Sequence, residues 1–165
     1  MIEASGSDPL YEFELISQEL VELMDAGLPK GRSRNDGDTP EGWDSKEIVA
    51  HMAESCEFWR LNLEEGLRRP GTTIVGRPKL DEERSSRISK LSRISTTGLI
   101  DRLTLEIGKT AGLLAALEPN DLGTALMHLA DGQITVSEMI SKHLVAHLDE
   151  HLVQLRELEE LPPTI

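Results

Sequence analysis

The chain has 165 residues, enough for one domain with a real core and too few to expect two. Its net charge of −13 sets it against nucleic acid and anionic membrane surfaces as partners, and its aromatic content of only 3% favours helix packing over a sheet. The single cysteine, Cys56, excludes an internal disulfide and any cysteine-based zinc finger.

The first residues, MIEASGSDPLYEF, lack a basic n-region and an apolar h-region, so no signal peptide is expected, and residues 1–7 read as a loose end. No run is apolar enough to span a membrane, which leaves a cytoplasmic protein as the expectation. Asp8 and Pro9 open a first helix as N-cap and N1. Leu10, Phe13, Ile16, Leu20 and Met24 carry its period to Asp25, before Gly27 and Pro29. Residues 28–42 form a long polar loop. Asp44 and Glu47 form the capping box of a second helix, with Trp43 and Ile48 as its hydrophobic staple. Ile48, Met52, Cys56, Trp59 and Leu63 make its buried stripe as far as Leu67, and Cys56 reads there as a small core residue rather than a nucleophile.

After a loop over 68–80, Asp81 to Ser95 predicts a short helix with Arg84, Arg87, Lys90 and Arg93 along one edge. Residues 68–95 hold eight Lys or Arg against three acids, a local excess of positive charge in an acidic chain. That excess reads as a solvated basic edge pairing with acidic helices, or as an attractor for the carboxylates of a small thiol. Thr96 or Thr97 starts another helix, with Leu99, Leu103, Ile107, Leu114 and Leu117 on one side and Pro119 at its end. Residues 119–134 are irregular, with a short extended piece possible over 125–135. Thr135 and Glu138 then cap a last helix, stapled by Ile134 and Met139 and stopped by Pro162 and Pro163. The expected fold is all-α: a four-helix bundle with long connections and one short extra helix, as one domain over 1–165.

The last helix carries His143, His147 and His151 at four-residue intervals, so neighbouring imidazoles can point at one atom. Around a face centred on Ile140, His151 falls inside the apolar arc, His147 at its edge and His143 on the outer side. Two adjacent buried histidines must be neutral or paired, and a shared metal meets that need. His51, at the edge of the second helix's stripe, is the candidate third ligand; taken alone it reads as a boundary histidine bonded to solvent. His128, in the segment MHLADG, reads as a loop histidine. Gln154 reads as a surface-edge glutamine, with a hydrogen bond to a ligand at the metal as the alternative. A three-histidine site keeps open positions, unlike a closed structural zinc site. Imidazole suits zinc, nickel, copper or iron, with zinc or nickel the expected divalent ion.

Two segments, GWDSKEIVAHMAESCEFWRLNL over 42–63 and DGQITVSEMISKHLVAHLDEHLVQL over 131–155, together resemble the DinB/YfiT-like family of metal-binding four-helix bundles. The resemblance implies His51, His147 and His151 as metal ligands, and places His143 where a histidine is frequent without being a ligand. Family members of known activity use low-molecular-weight thiols, as in mycothiol-dependent maleylpyruvate isomerase and bacillithiol transferases; others were described as possible metal-dependent hydrolases. Three functions follow as expectations. The first is a thiol-dependent S-transferase or isomerase acting on a small molecule at the metal. The second is a metal-dependent hydrolase, which wants a general base that Asp149, on the far face, and Glu150, at the periphery, do not supply. The third is a non-enzymatic metal- or small-molecule-binding bundle, or a homodimer formed through an apolar face of the first helix.

Overall fold

A computed structural model describes residues 8–33, 42–78 and 81–160. The expected loose end at 1–7, most of the polar loop over 28–42 and the stop at Pro162 and Pro163 fall outside the described residues.

Helix α1, Pro9–Asp25, starts as its sequence requires, with the Asp8 carboxylate accepting from the Leu10 amide at 3.0 Å. Helix α2, Ser45–Arg68, opens on the capping box: the Glu47 amide donates to Asp44 Oδ1 at 2.9 Å, and Glu47 reaches back to the Asp44 amide. Beyond that start the structure departs from a one-sided stripe. Every residue from Ile48 to Cys56 is buried, including His51, Glu54 and Ser55. The small side chains of Ala50, Ala53, Ser55 and Cys56 let neighbouring elements close in on several faces of α2 at once.

Helix α3, Glu82–Leu91, is the short basic helix; it buries none of its own residues and lies against α2. Helix α4, Thr96–Ala115, is capped by Ser95 and makes the most extensive packing with α2. Their contact is clamped by charge: Arg60 of α2 bonds the buried Glu106 of α4 at 3.2 Å, and Arg102 of α4 bonds Glu57 of α2 at 2.9 Å. Glu106 is also paired with Arg102 at 3.2 Å, and Arg60 with Glu64 at 3.4 Å, so the buried carboxylate sits in a network rather than in a single pair.

The region between α4 and the last helix is where the all-helical expectation needs amending. After a 3-10 turn at Pro119–Gly123, strands β2, Ala125–His128, and β3, Gly132–Thr135, form an antiparallel hairpin. Strand β1, Ile74–Val75, adds to β2 in parallel. This small sheet seats on α2 at Gly66, where a Cβ would stand 2.8 Å from a Leu126 methyl. The expected short extended piece is thus a paired hairpin, and the fold is a four-helix bundle with a small three-stranded sheet.

The last helix is also not uniform. It begins as α5, Val136–Met139, capped by Thr135 and Glu138, and continues as α6, Ala146–Glu160. Between them Ile140–Val145 is a π turn, in which the Ala146 amide bonds Ser141 O five residues back. Such a turn inserts one residue into the helical phase, commonly beside functional groups. Among the described residues no helix is long and apolar enough to cross a membrane.

The entry to α2 is fixed by a close backbone approach. The Ser33 amide donates to Trp43 O at 2.8 Å and the Trp43 amide donates to Ser33 Oγ at 2.9 Å. Gly42 sits between them at φ +70°, and a Cβ there would lie 1.8 Å from Ser33 O. Gly42→Ala should therefore lower stability by about 1–3 kcal/mol in urea unfolding, through left-handed strain and backbone collision; a change within about 0.5 kcal/mol would show that this approach does not constrain the fold.

Candidate metal centre

His51 lies one turn beyond the capping box, on the fully enclosed part of α2, and is 2% exposed. That rules out the reading of His51, taken alone, as a boundary histidine bonded to solvent. His147 and His151 come from α6, one turn apart and beyond the π turn. The three rings converge, with centroids 4.8 Å apart for His51 and His147, 4.5 Å for His51 and His151, and 4.6 Å for His147 and His151. One ring nitrogen of each lies within 4.8 Å of those of the other two.

Partners outside the cluster orient these rings. His151 Nδ1 lies 2.8 Å from Gln154 Oε1, a carbonyl that can only accept. The bond puts the His151 proton on Nδ1 and makes Nε2 the nitrogen that carries the lone pair. Gln154 is thus a partner of the His151 ring rather than a surface-edge residue. Trp43, read from sequence only as a staple, is buried and packs its indole 5.0 Å from the His51 ring and 6.3 Å from that of His151. It walls the site, and nothing in its sequence position distinguishes wall from staple. His147 Nε2 is buried with no hydrogen-bond partner among the described residues. An orphaned nitrogen on a ring packed against two other imidazoles is what a cation ligated by neutral histidines requires.

Burial, and then the neighbouring imidazoles, hold His51 and His147 neutral. Both causes push the His51 pKa far below its ordinary value, and they take His147 down to about 3. Two arginines add to this effect. Arg77 forms a two-pronged ion pair with the buried Glu54 and lies 3.9 Å over the Phe58 ring. Arg84 of α3 places Nη2 3.1 Å from His51 Nδ1 and 3.3 Å from Nε2. Asp149 and Glu150 are exposed, and Glu54 is engaged by Arg77. Among the described residues, no carboxylate joins the three histidines as a fourth ligand.

His143 does not join them. It lies in the π turn and stacks on Trp59 at 4.2 Å and on His128 at 4.7 Å. His128 is not a loop residue: it ends β2 and is 7% exposed. His128, Asp131 and His143 also lie close enough together to suggest a second cation site. The hydrogen bonds argue against one. His128 Nδ1 already accepts from the Ala130 and Asp131 amides at 3.2 and 3.1 Å, and Lys142 holds the Asp131 carboxylate. The column of Trp59, His143 and His128 instead ties the hairpin to α2 and the last helix. Cys56 is buried and its thiol is pushed up to about 12, chiefly by burial, so it is no thiolate nucleophile.

The protonation of His147 has a sign that can be checked. Free in the unfolded chain it titrates near 6.5, and in the fold near 3. Between those values the unfolded chain binds more protons, so stability rises with pH and is lost as pH falls from about 6.5 towards 3. Metal-free His147→Leu should lose less stability than the parent protein between pH 7 and 4 in urea titrations; equal losses would contradict the neutral-cluster description.

No family model matches the chain, and no curated protein matches its sequence. Solved structures do match its fold. The mycothiol-dependent maleylpyruvate isomerase aligns with TM-score 0.70 at 14% identity, covering 89% of this chain and 59% of the isomerase. The chain therefore spans about three-fifths of that enzyme's length. YfiT from Bacillus subtilis, described as a probable metal-dependent hydrolase with an unusual four-helix bundle topology, aligns with TM-score 0.69 at 21% identity, over 97% of this chain and 91% of YfiT. An uncharacterized protein from Clostridium difficile 630 aligns with TM-score 0.64 at 12% identity, over 98% and 99% of the two chains. At the level of fold, the chain is a four-helix bundle similar to those of YfiT and the maleylpyruvate isomerase.

Proposed function

We propose that His51, His147 and His151 hold one divalent cation, zinc or nickel, and that the chain uses it as a thiol-dependent transferase or isomerase acting on a small molecule. One observation carries this: three imidazoles from two helices, His51 and His151 buried and His147 half-buried, face one another with no fourth protein ligand among the described residues. Three ligands leave coordination positions for an exogenous molecule, as catalytic sites do and closed structural sites do not. When bound, the cation supplies Lewis acidity, which lowers the pKa of a thiol bound to it.

The chain's own residues then set the conditions. Gln154 holds the His151 ring in the ligating tautomer. Trp43 covers the rings and excludes water from one side. Burial keeps His51 and His147 as neutral imidazoles at neutral pH, each with one lone pair, so a cation does not have to displace a proton from a charged ring. A thiol whose pKa is lowered in this way can give its proton to solvent without a carboxylate base, and among the described residues no carboxylate joins the cluster. Hydrolysis is the second reading, supported by the near end-to-end alignment with the probable hydrolase YfiT. It lacks the general base that activating water calls for.

Protein purified without a histidine tag should take up one equivalent of zinc or nickel per chain, and His151→Ala should abolish that uptake. Gln154→Leu should keep the site but weaken metal affinity by about 10–100-fold in competition with a chelator; unchanged affinity would remove its orienting role. Metal-loaded protein should accelerate attack of low-molecular-weight thiols on a generic electrophile, and His147→Ala should not. Turnover of esters or amides without any thiol would favour the hydrolase instead, and metal binding with neither activity would favour a non-enzymatic module.

A further inference from the structure

We infer that Arg84 is a ligand-recognition residue, which forks onto a carboxylate of the small molecule that occupies the open side of the histidine cluster. This rests on the proposed metal site and deepens it by naming a ligand class. Arg84 is half-buried and reaches the cluster from α3, a helix that contributes no buried residue to the core. Its guanidinium stands within 3.3 Å of both nitrogens of His51. A neutral imidazole has only one acceptor nitrogen, so at most one of these contacts is a full hydrogen bond.

The charges around it are unequal. Arg77, which also faces the cluster, is neutralised by Glu54, and Arg60, Arg102 and Arg87 pair with Glu106, Glu57 and Glu83. Arg84 has no carboxylate partner among the described residues; its recorded contacts are with the His51 ring. A guanidinium is a poor permanent partner for an imidazole lone pair that a cation also requires. With a divalent cation on the three rings, two positive groups face each other across a short, partly dry gap. A molecule that ligates the cation at one end and presents a carboxylate at the other offsets both charges. Guanidinium and carboxylate match as a two-pronged pair, which a hydroxyl or amide cannot reproduce. The carboxylate belongs either to the thiol or to the electrophile it attacks.

Cobalt-loaded protein separates these cases, because cobalt absorption reports each ligand directly. Two isosteric pairs serve as probes: mercaptoacetate against mercaptoacetamide, and succinate against its monoamide, succinamate. In the parent protein the carboxylate member of at least one pair should bind on the order of tenfold tighter than its amide. Preference in the thiol pair assigns the carboxylate to the thiol, and preference in the succinate pair alone assigns it to the electrophile. Arg84→Met should erase the preference and leave amide binding unchanged, with intact cobalt bands showing that the site has folded. Arg87→Ala, on the same helix but paired with Glu83, should keep the preference. Equal affinities within both pairs, or a preference that survives Arg84→Met, would overturn the inference. Absence of a sulfur-to-cobalt band with either thiol would contradict the thiol reading alone, while a succinate preference lost in Arg84→Met would still uphold the role of Arg84. Failure to take up cobalt would overturn both.

Discussion

Burying imidazoles against one another costs free energy unless each ring nitrogen finds a partner. Helices α2 and α6 bring His51, His147 and His151 together without supplying all of those partners. Gln154 serves one nitrogen of His151, Arg84 crowds His51, and His147 Nε2 is left without a partner among the described residues. Alternatives that would relieve the strain by protonation are closed, because burial and the neighbouring rings keep His51 and His147 neutral. A divalent cation is the simplest group that satisfies several imidazole lone pairs at once. The metal proposal therefore follows from an unmet hydrogen-bonding requirement as well as from a spacing of residue types.

The remainder of the fold serves to hold that cluster in place. The capping box fixes where α2 begins, and hence the height of His51 in the bundle. Gly42 lies against Ser33 at a positive φ, beside the Trp43 that packs on the rings. On the other side, Thr135 and Glu138 set the start of the last helix, and the π turn adds one residue before His147 and His151. The Trp59–His143–His128 column anchors that turn to α2 and to the hairpin. Two aromatic groupings thus sit side by side: one stacks His128 and His143 on Trp59, and the other sets three imidazoles edge to face.

Much of this was legible in the chain itself. Caps and staples are local chemistry, so the starts of α1, α2 and the last helix could be read from Asp8, Asp44 and Thr135. The histidine pair was visible because four residues make one helical turn. The hairpin was harder to see: Ala125–His128 and Gly132–Thr135 are too short and mixed to show a clear strand period, and their pairing with Ile74–Val75 is long-range. The π turn was invisible because a one-residue slip leaves a broad apolar face looking periodic. His51 and Arg84 depend on packing. Nothing near His51 in sequence indicates that α2 is enclosed from Ile48 to Cys56, and nothing near Arg84 indicates that a basic edge bends one guanidinium onto an imidazole 33 residues away.

The most direct measurement is an anomalous difference map from crystals of untagged protein grown with zinc or nickel, collected above and below the metal edge. A single strong peak about 2.0–2.1 Å from one nitrogen each of His51, His147 and His151 is the result predicted. A map with no peak among those rings, or with peaks only at carboxylates on the acidic surface, would contradict it.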